Sequence, residues 1–234
     1  MKKIFLMPIL VAGIACIFTF WGIYGILSSI KMENLPRDPS IPKIIIVPVT
    51  VENSGIVAPS SEILEELSAK LQKSIGVKYV LGKKVTLPEE FLSKERGQLQ
   101  AEQALLYLAR EHNKKDEGTL RTIFVTGVDL YLPGYNFIFG LAQRGGDFAL
   151  VSDARFRLGT LTSEKEKELY IRRLSKVALH ELGHTFGLPH SNDTKSVMKF
   201  HNSLRELDQT GDELIEEDKK TLVSRYPFLK NYLR

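Results

Sequence analysis

The chain has 234 residues, of which 43% are hydrophobic and 26% charged, so it is long enough to bury the core of one globular domain. Its net charge of +4 is small and its basic and acidic residues are interspersed, which argues against a nucleic-acid-binding protein. The single cysteine, Cys16, excludes an internal disulfide bond and a thiolate metal site in the body of the chain.

Residues 1–30 differ in composition from the rest of the chain. Lys2 and Lys3 precede an uncharged, apolar stretch from Ile4 to Ile30. A helix of about 20 residues spans the hydrocarbon core of a bilayer, whereas the apolar part of a cleaved signal peptide has only about 7 to 15 residues. The length therefore favours an uncleaved transmembrane helix. The two lysines favour an orientation that leaves this end in the cytoplasm and the rest of the chain outside.

Two alternatives to this membrane anchor remain open. A cleaved signal sequence would make the protein secreted. A lipoprotein signal is suggested by Gly13-Ile14-Ala15-Cys16, although the aliphatic residue that usually stands three positions before the cysteine is missing. The length of the apolar stretch favours the anchor over both.

The remaining sequence divides into a linker and one domain. Residues 31–42 contain three prolines among charged residues and are predicted to be a linker, which leaves 43–234 as the domain. In this domain, short apolar runs typical of buried strands alternate with segments of helical periodicity, which predicts an α/β fold with a largely parallel sheet. The predicted strands cover 43–49, 77–85 and 121–128, the helices 60–71, 98–112 and 213–225, a polar loop 201–212, and a solvated charged face 216–220.

An aromatic-rich connection over 129–142 and a turn at 144–147 precede one more predicted strand, formed by Phe148, Ala149, Leu150, Val151 and Ser152. We predict that this strand lies at the edge of the sheet. An edge strand above a cleft can bind an extended peptide through main-chain hydrogen bonds, so these five residues are candidate substrate-binding residues. The alternative is a hairpin whose aromatic side chains only cover the core, and the two interpretations are compatible.

The most informative stretch runs from His180 to His190. It follows residues 163–182, which contain neither proline nor glycine and are predicted to be helical. Because His180 and His184 are four positions apart, they lie on one face of this helix, and both imidazoles can reach one ion. The alternative is a pair of histidines that only pack and form hydrogen bonds.

The residues after His184 complete a metal-binding pattern. Gly187 can adopt positive φ without steric cost, which ends the helix and turns the chain back, so that His190 arrives as a third nitrogen ligand. Three neutral imidazoles and one open position are typical of a catalytic zinc site. Glu181 follows the first histidine and is close enough to act on a water molecule at that open position.

The string from His180 to His190 resembles the metzincin clan of zinc peptidases, and Ser196-Val197-Met198 resembles its Met-turn. Within this clan the chain is most similar to the archaemetzincins, over about residues 41–225. Three features carry this resemblance: the interval of eight residues from His190 to Met198, the sequence of residues 129–137, and the predicted strand 149–152, which ends near Arg155 and Arg157.

The resemblance implies an α/β (α+β) zincin domain with a mixed sheet, an antiparallel edge strand, an active-site helix and a C-terminal helix. It implies hydrolysis of bonds in a peptide or protein substrate. Its site residues would be the zinc ligands His180, His184 and His190, the general base Glu181, and Met198 as a hydrophobic floor beneath the metal. A non-catalytic, membrane-anchored, zinc-containing peptide-binding protein is the alternative function.

The chain departs from the family in two places. Archaemetzincins typically carry four cysteines that hold a second, structural zinc ion, and the resemblance places Ser191, Ser196, Glu216 and Lys219 at those positions. We therefore expect one Zn²⁺, the catalytic one. The chain also lacks the tyrosine that some metzincins have just after the Met-turn; His201 lies in that neighbourhood and could be a donor, a ligand or an ordinary surface histidine.

Overall fold

The computed structural model describes residues 42–112, 117–157 and 163–233. The predicted membrane anchor or signal sequence, residues 1–30, and all but the last residue of the predicted linker lie outside the described residues. Among the described residues, no helix combines the length and the apolar character that crossing a membrane requires.

Strands and helices alternate along most of the described chain. The strands are β1 (Lys43–Val51), β2 (Lys78–Leu81), β3 (Val85–Leu87), β4 (Leu92–Ser93), β5 (Gln98–Gln100), β6 (Thr119–Thr126), β7 (Leu130–Tyr131), β8 (Gly140–Ala142) and β9 (Phe148–Ser152). The α-helices are α1 (Ser61–Ser74), α2 (Ala101–Glu111), α3 (Glu164–Thr185), α4 (Leu204–Gln209) and α5 (Glu216–Arg225).

The main sheet is mixed. Its central strand β1 runs parallel to β6 on one side and to β2 and β3 on the other. Strand β9 is parallel to β6, and β8 closes this side as an antiparallel strand. All eight residues of β6 are buried, as expected for a strand covered on both faces. The mixed sheet with an antiparallel edge strand is therefore confirmed.

Two layers of helices bury the two faces of this sheet. Ile44 and Ile46 of β1 point into a core shared with α1 and α3, whereas Val47 and Val49 point into a second core shared with α2. Helix α3 lies across the first face and packs against β8 and β9. This packing places the carboxyl-terminal half of α3 next to the antiparallel edge.

The prediction that Phe148, Ala149, Leu150, Val151 and Ser152 form the edge strand is wrong. They form β9, which lies between β6 and β8, and all five residues are buried. The physical reason is visible in the composition, because a continuous apolar run is typical of a strand that is covered on both faces. Strand β9 therefore has no free edge for a peptide, and the exposed edge is β8.

Two predicted elements near the start of the domain are divided in the structure. The predicted strand 77–85 is two strands, β2 and β3, which pair with successive parts of β1. The predicted helix 98–112 begins only at Ala101, because the preceding residues form β5 in a small second sheet with β4 and β7. The side chain of Gln100 accepts a hydrogen bond from Gln103 N at 2.6 Å and caps this helix.

Two predictions near the end of the chain are also corrected. The predicted loop 201–212 contains α4, which Ser203 begins by accepting a hydrogen bond from Glu206 N. The predicted solvated face 216–220 includes Asp218, which is buried. Its carboxylate accepts a hydrogen bond from Ile215 N at 3.1 Å and caps α5, so this one charge of the run faces inward.

Candidate metal centre

Helix α3 carries the first two histidines and is defined at both ends. Ser163 and Glu166 form a reciprocal capping box at its start. At its end Gly187 has a φ of 86°, as predicted, and Leu188 N donates a hydrogen bond to Gly183 O at 2.9 Å. A side chain at Gly187 would be strained at this φ, so glycine allows the chain to turn back toward the helix.

The structure brings the three predicted ligands together. His184 Nε2 lies 3.0 Å from His180 Nε2 and 3.1 Å from His190 Nε2. His180 Nδ1 is 2.8 Å from Val197 O, and His184 Nδ1 is 2.8 Å from Leu188 O. Because a carbonyl oxygen only accepts, both Nδ1 atoms must donate, and the Nε2 atoms of these neutral rings carry lone pairs.

Burial keeps the three rings neutral. It lowers the pKa of His184 to about 4, and it is also the largest cause of the lowered pKa of His180 and His190. The Nε2 lone pairs of His180 and His184 face each other at 3.0 Å with no proton between them and repel, and a cation bound between them would remove this repulsion. Metal binding requires neutral histidines, and this site supplies them.

The donor set fits zinc. Two nitrogens bound at 2.0–2.1 Å and at a tetrahedral angle would lie about 3.3 Å apart, near the separations in this cluster. Within the described ranges, the metal-binding group consists of the three histidines and has no carboxylate or thiolate member. A four-coordinate ion held by these residues would keep one position for water or substrate.

Glu181 lies under the edge strand in a space that a glycine leaves for it. A Cβ atom at Gly140 would be 2.7 Å from Glu181 Cγ and 2.8 Å from its Oε1. Burial raises the pKa of the Glu181 carboxyl to about 8. The role of Gly140 was not predicted; a glycine within a strand pattern, which often marks close approach of another group, was the available signal.

The predicted Met-turn packs beneath α3. Met198 is fully buried, and a Cβ atom at Gly183 would be 2.3 Å from its Sδ. Glycine at position 183 therefore lets the helix approach the methionine. The neighbouring Val197 carbonyl orients His180, so the turn both packs against the helix at Gly183 and aligns the first histidine.

The positions expected to replace the cysteines of a second zinc site are only partly together. Ser196 Oγ donates to Asp218 Oδ2 at 2.7 Å, and both groups are buried. Glu216 and Lys219 instead form an ion pair with each other at 3.2 Å, with Glu216 largely exposed. The residue of α5 that contacts Ser196 is therefore Asp218, rather than Glu216 or Lys219.

His201 lies beside the metal-binding group but is not part of it. Its ring centroid is 5.7 Å from that of His180, and its Nε2 is 2.8 Å from Thr210 Oγ1. The Thr210 hydroxyl donates to Leu207 O, so it accepts from His201 Nε2. His201 is half-buried, and this bond connects it to the end of α4 rather than to the ligands.

A buried arginine that was not predicted holds the end of α3. Arg121 of β6 donates to Thr185 O at 3.2 Å and to the Tyr226 hydroxyl at 3.0 Å. Its guanidinium lies 4.2 Å from the centroid of the Phe186 ring. These contacts join the sheet to the helix one residue beyond His184, so they fix the position of this histidine relative to the sheet.

Comparison with known proteins identifies the family. The model of peptidase family M54 matches residues 43–221. The chain belongs to this family. It is 38% identical to the archaemetzincin of Methanopyrus kandleri over 155 residues, which cover 66% of this chain and 83% of that relative. It is 35% identical to the archaemetzincin of Pyrococcus furiosus over 165 residues, 70% of this chain and 84% of the relative.

Solved structures of archaemetzincins share the fold. The crystal structure of the Methanopyrus kandleri protein has a TM-score of 0.67 and 34% identity, over 80% of this chain and 96% of that one. The Archaeoglobus fulgidus protein, crystallised with malonate, has a TM-score of 0.62 and 27% identity, over 76% and 99% of the two chains. The archaemetzincin resemblance is confirmed, and this member of family M54 is a zinc metallopeptidase that acts on peptides or proteins.

Proposed function

We propose that this M54 peptidase holds one catalytic Zn²⁺ on His180, His184 and His190 and uses Glu181 as its general base. The observation that carries the proposal is the convergence of the three Nε2 atoms. In the His180 and His184 rings the Nδ1 atoms donate to main-chain carbonyls, which leaves the Nε2 lone pairs of these rings free for a metal. Zinc bound there supplies Lewis acidity, which lowers the pKa of a coordinated water toward about 7 and polarises a carbonyl group.

Glu181 moves the proton in this mechanism. Its carboxylate takes a proton from the attacking water and transfers it to the nitrogen of the leaving amine, which typically contributes about 10²- to 10⁴-fold to the rate. In the chain alone, burial favours the protonated form of this carboxyl. Beside a bound divalent cation the Glu181 carboxyl would ionise more readily and could then accept a proton.

Strand β8 offers the surface along which a substrate would bind. Gln143 N donates to Phe148 O, and Ser152 N donates to Phe139 O. In an antiparallel pair such residues alternate, so the main-chain groups of Gly140 and Ala142 point away from β9. An extended peptide bound to them would lie above Glu181 and the histidines, which is the role that we now assign to β8 in place of β9.

A single zinc ion is part of the proposal. The region where relatives are expected to hold a structural zinc is here joined by the buried hydrogen bond from Ser196 to Asp218. Asp218 also caps α5, so one carboxylate connects the Met-turn to the last helix. This hydrogen bond between a hydroxyl and a carboxylate stabilises the region without thiolates.

Membrane attachment through residues 1–30, with the peptidase domain outside the cytoplasm, is also a proposal. It rests on the length of the apolar stretch and on the two lysines before it. Carbonate extraction of membranes and protease digestion of intact cells would test it. Release by carbonate, or protection of the domain from protease, would contradict it.

Three variants test the catalytic assignment. Glu181→Gln should keep one zinc per chain and lose about 10²- to 10⁴-fold in kcat/KM on a peptide substrate. His184→Ala should lose the metal as well as activity. Glu168→Gln, at an exposed position of the same helix, is the matched control and should resemble the wild type.

Metal analysis and peptide turnover are measured on the same preparations. Two equivalents of zinc in the wild type would overturn the single-site proposal. Full activity of Glu181→Gln would overturn the role of the base and would leave a different proton acceptor to be found.

A further inference from the structure

An exposed arginine follows the edge strand and lies close to the metal-binding group. Arg144 stands between Gln143, whose N–H donates to Phe148 O, and Gly145, whose N–H donates to His184 O at 2.9 Å. The first bond holds the chain against β9 and the second holds it against α3. The backbone on both sides of Arg144 is therefore fixed beside the second histidine.

The charge of Arg144 reaches the metal-binding group. Burial is the largest cause of the lowered pKa of His184 and of His190, and the positive charge of Arg144 contributes to both. The Arg144 side chain is exposed, and no hydrogen bond or ion pair joins it to another residue of the described ranges. By contrast, Arg121 pairs with Asp147 and Arg155 pairs with Asp129.

We propose that Arg144 makes this peptidase selective for acidic peptides by binding a carboxylate of the substrate. The proposal rests on the substrate position along β8 given above. Main-chain groups of Gly140 and Ala142 point outward just before Arg144, so a peptide bound to them would continue toward Arg144. An arginine suits this task because its planar fork donates two parallel hydrogen bonds to one carboxylate.

Paired peptides measure the selectivity. Each pair differs by one glutamate or glutamine, placed either before or after the cleaved bond, and both ends are blocked. A further pair compares a free carboxyl terminus with its amide, which separates a side-chain carboxylate from a terminal one. We expect the wild type to cleave one acidic peptide about 3- to 10-fold more efficiently than its neutral partner.

Arg144→Gln should reduce that ratio to about one, and because the ratio compares two peptides on the same protein, a general change in activity caused by the lost charge does not affect it. Arg110→Gln, also an exposed arginine but on α2 at the opposite face of the sheet, should keep the full ratio. Because the contact is exposed, raising the salt concentration should also decrease the ratio. A wild type without any preference, or an Arg144→Gln protein that keeps it, would overturn the proposal.

A binding measurement separates this proposal from the catalytic one. Fluorescent versions of the same peptides are titrated with zinc-loaded wild type and with zinc-loaded Arg144→Gln, and their binding is measured by fluorescence anisotropy. If no peptide is cleaved but the acidic one binds more tightly only to the wild type, the selectivity stands and the proposed catalysis fails. Equal binding of acidic and neutral peptides by both proteins would refute the role of Arg144.

Discussion

Replacing Gly140 by alanine tests whether the edge strand sets the position of Glu181, the proposed catalytic base. The added Cβ would lie 2.7 Å from Glu181 Cγ, 2.8 Å from Oε1 and 3.0 Å from Cδ. Carbon atoms in contact prefer about 3.5–4.0 Å, so the carboxylate must withdraw by roughly 1 Å. A displacement of about 1 Å at a reacting group can cost about 10²-fold in rate.

The stability of the protein should change little. Gly140 does not have positive φ, and its new methyl group meets side-chain atoms of Glu181 rather than backbone. Alanine also loses less conformational entropy than glycine on folding, a gain of about 0.4–1 kcal/mol that offsets part of the crowding. We expect kcat/KM to decrease about 100-fold, with zinc content unchanged and the unfolding free energy within about 1 kcal/mol of the wild type.

The assay combines peptide turnover, zinc analysis and urea unfolding. Gly82→Ala is the matched control, because its Cβ would meet Val47 Cγ2 at a similar 2.8 Å, far from the metal-binding group. This control should lose stability and keep its activity. If Gly140→Ala acts through the base, adding it to Glu181→Gln should cost little further activity. Wild-type turnover by Gly140→Ala, or an equal loss in both backgrounds, would refute the reasoning.

Three further predictions concern stability and its pH dependence. Asp218→Ala removes the acceptor of Ser196 and the cap of α5, and urea unfolding should show a loss of about 1–2 kcal/mol, against no loss for the exposed Glu217→Ala. Arg121→Met leaves buried acceptors at the end of α3 without a donor, and should cost about 2–4 kcal/mol by the same measurement; an unchanged midpoint would contradict its structural role. In zinc-free protein, burial raises the pKa of Glu181 from 4.5 to about 8, so its stabilising contribution is complete below pH 4.5 and lost as pH rises through 8. Zinc-free Glu181→Gln should therefore gain stability relative to the wild type across that window, and parallel pH profiles would show that the carboxyl is not desolvated.

The metal ligands were predictable from sequence because their geometry is local. The spacing of His180 and His184 is converted into proximity by the helix itself, and Gly187 returns the chain within a few residues. The groups that orient the ligands were not predictable in the same way. Val197 O is a main-chain atom, and no residue type marks a carbonyl that will accept a hydrogen bond from an imidazole.

The errors arose where distant parts of the chain meet. The order of strands depends on pairing between segments far apart in sequence. The apolar run that forms β9 therefore indicates that this strand is buried, but it does not indicate that β6 and β8 are the strands that pair with it. Asp218 appeared as one of several surface charges because its partner, Ser196, is 22 positions away. A run of charged residues has the same appearance in the sequence whether all of its side chains are exposed or one of them is buried.

The edge strand β8 is only three residues long, and this length limits self-association as well as substrate binding. A long, flat and unpaired strand is a template for other chains and promotes aggregation. With two outward-facing residues, β8 offers a second copy of the domain too few hydrogen bonds for a continuous intermolecular sheet, although the short peptide proposed to bind there could still align with it. A short edge can therefore stay open to a substrate without becoming a template for pairing with other copies of the chain.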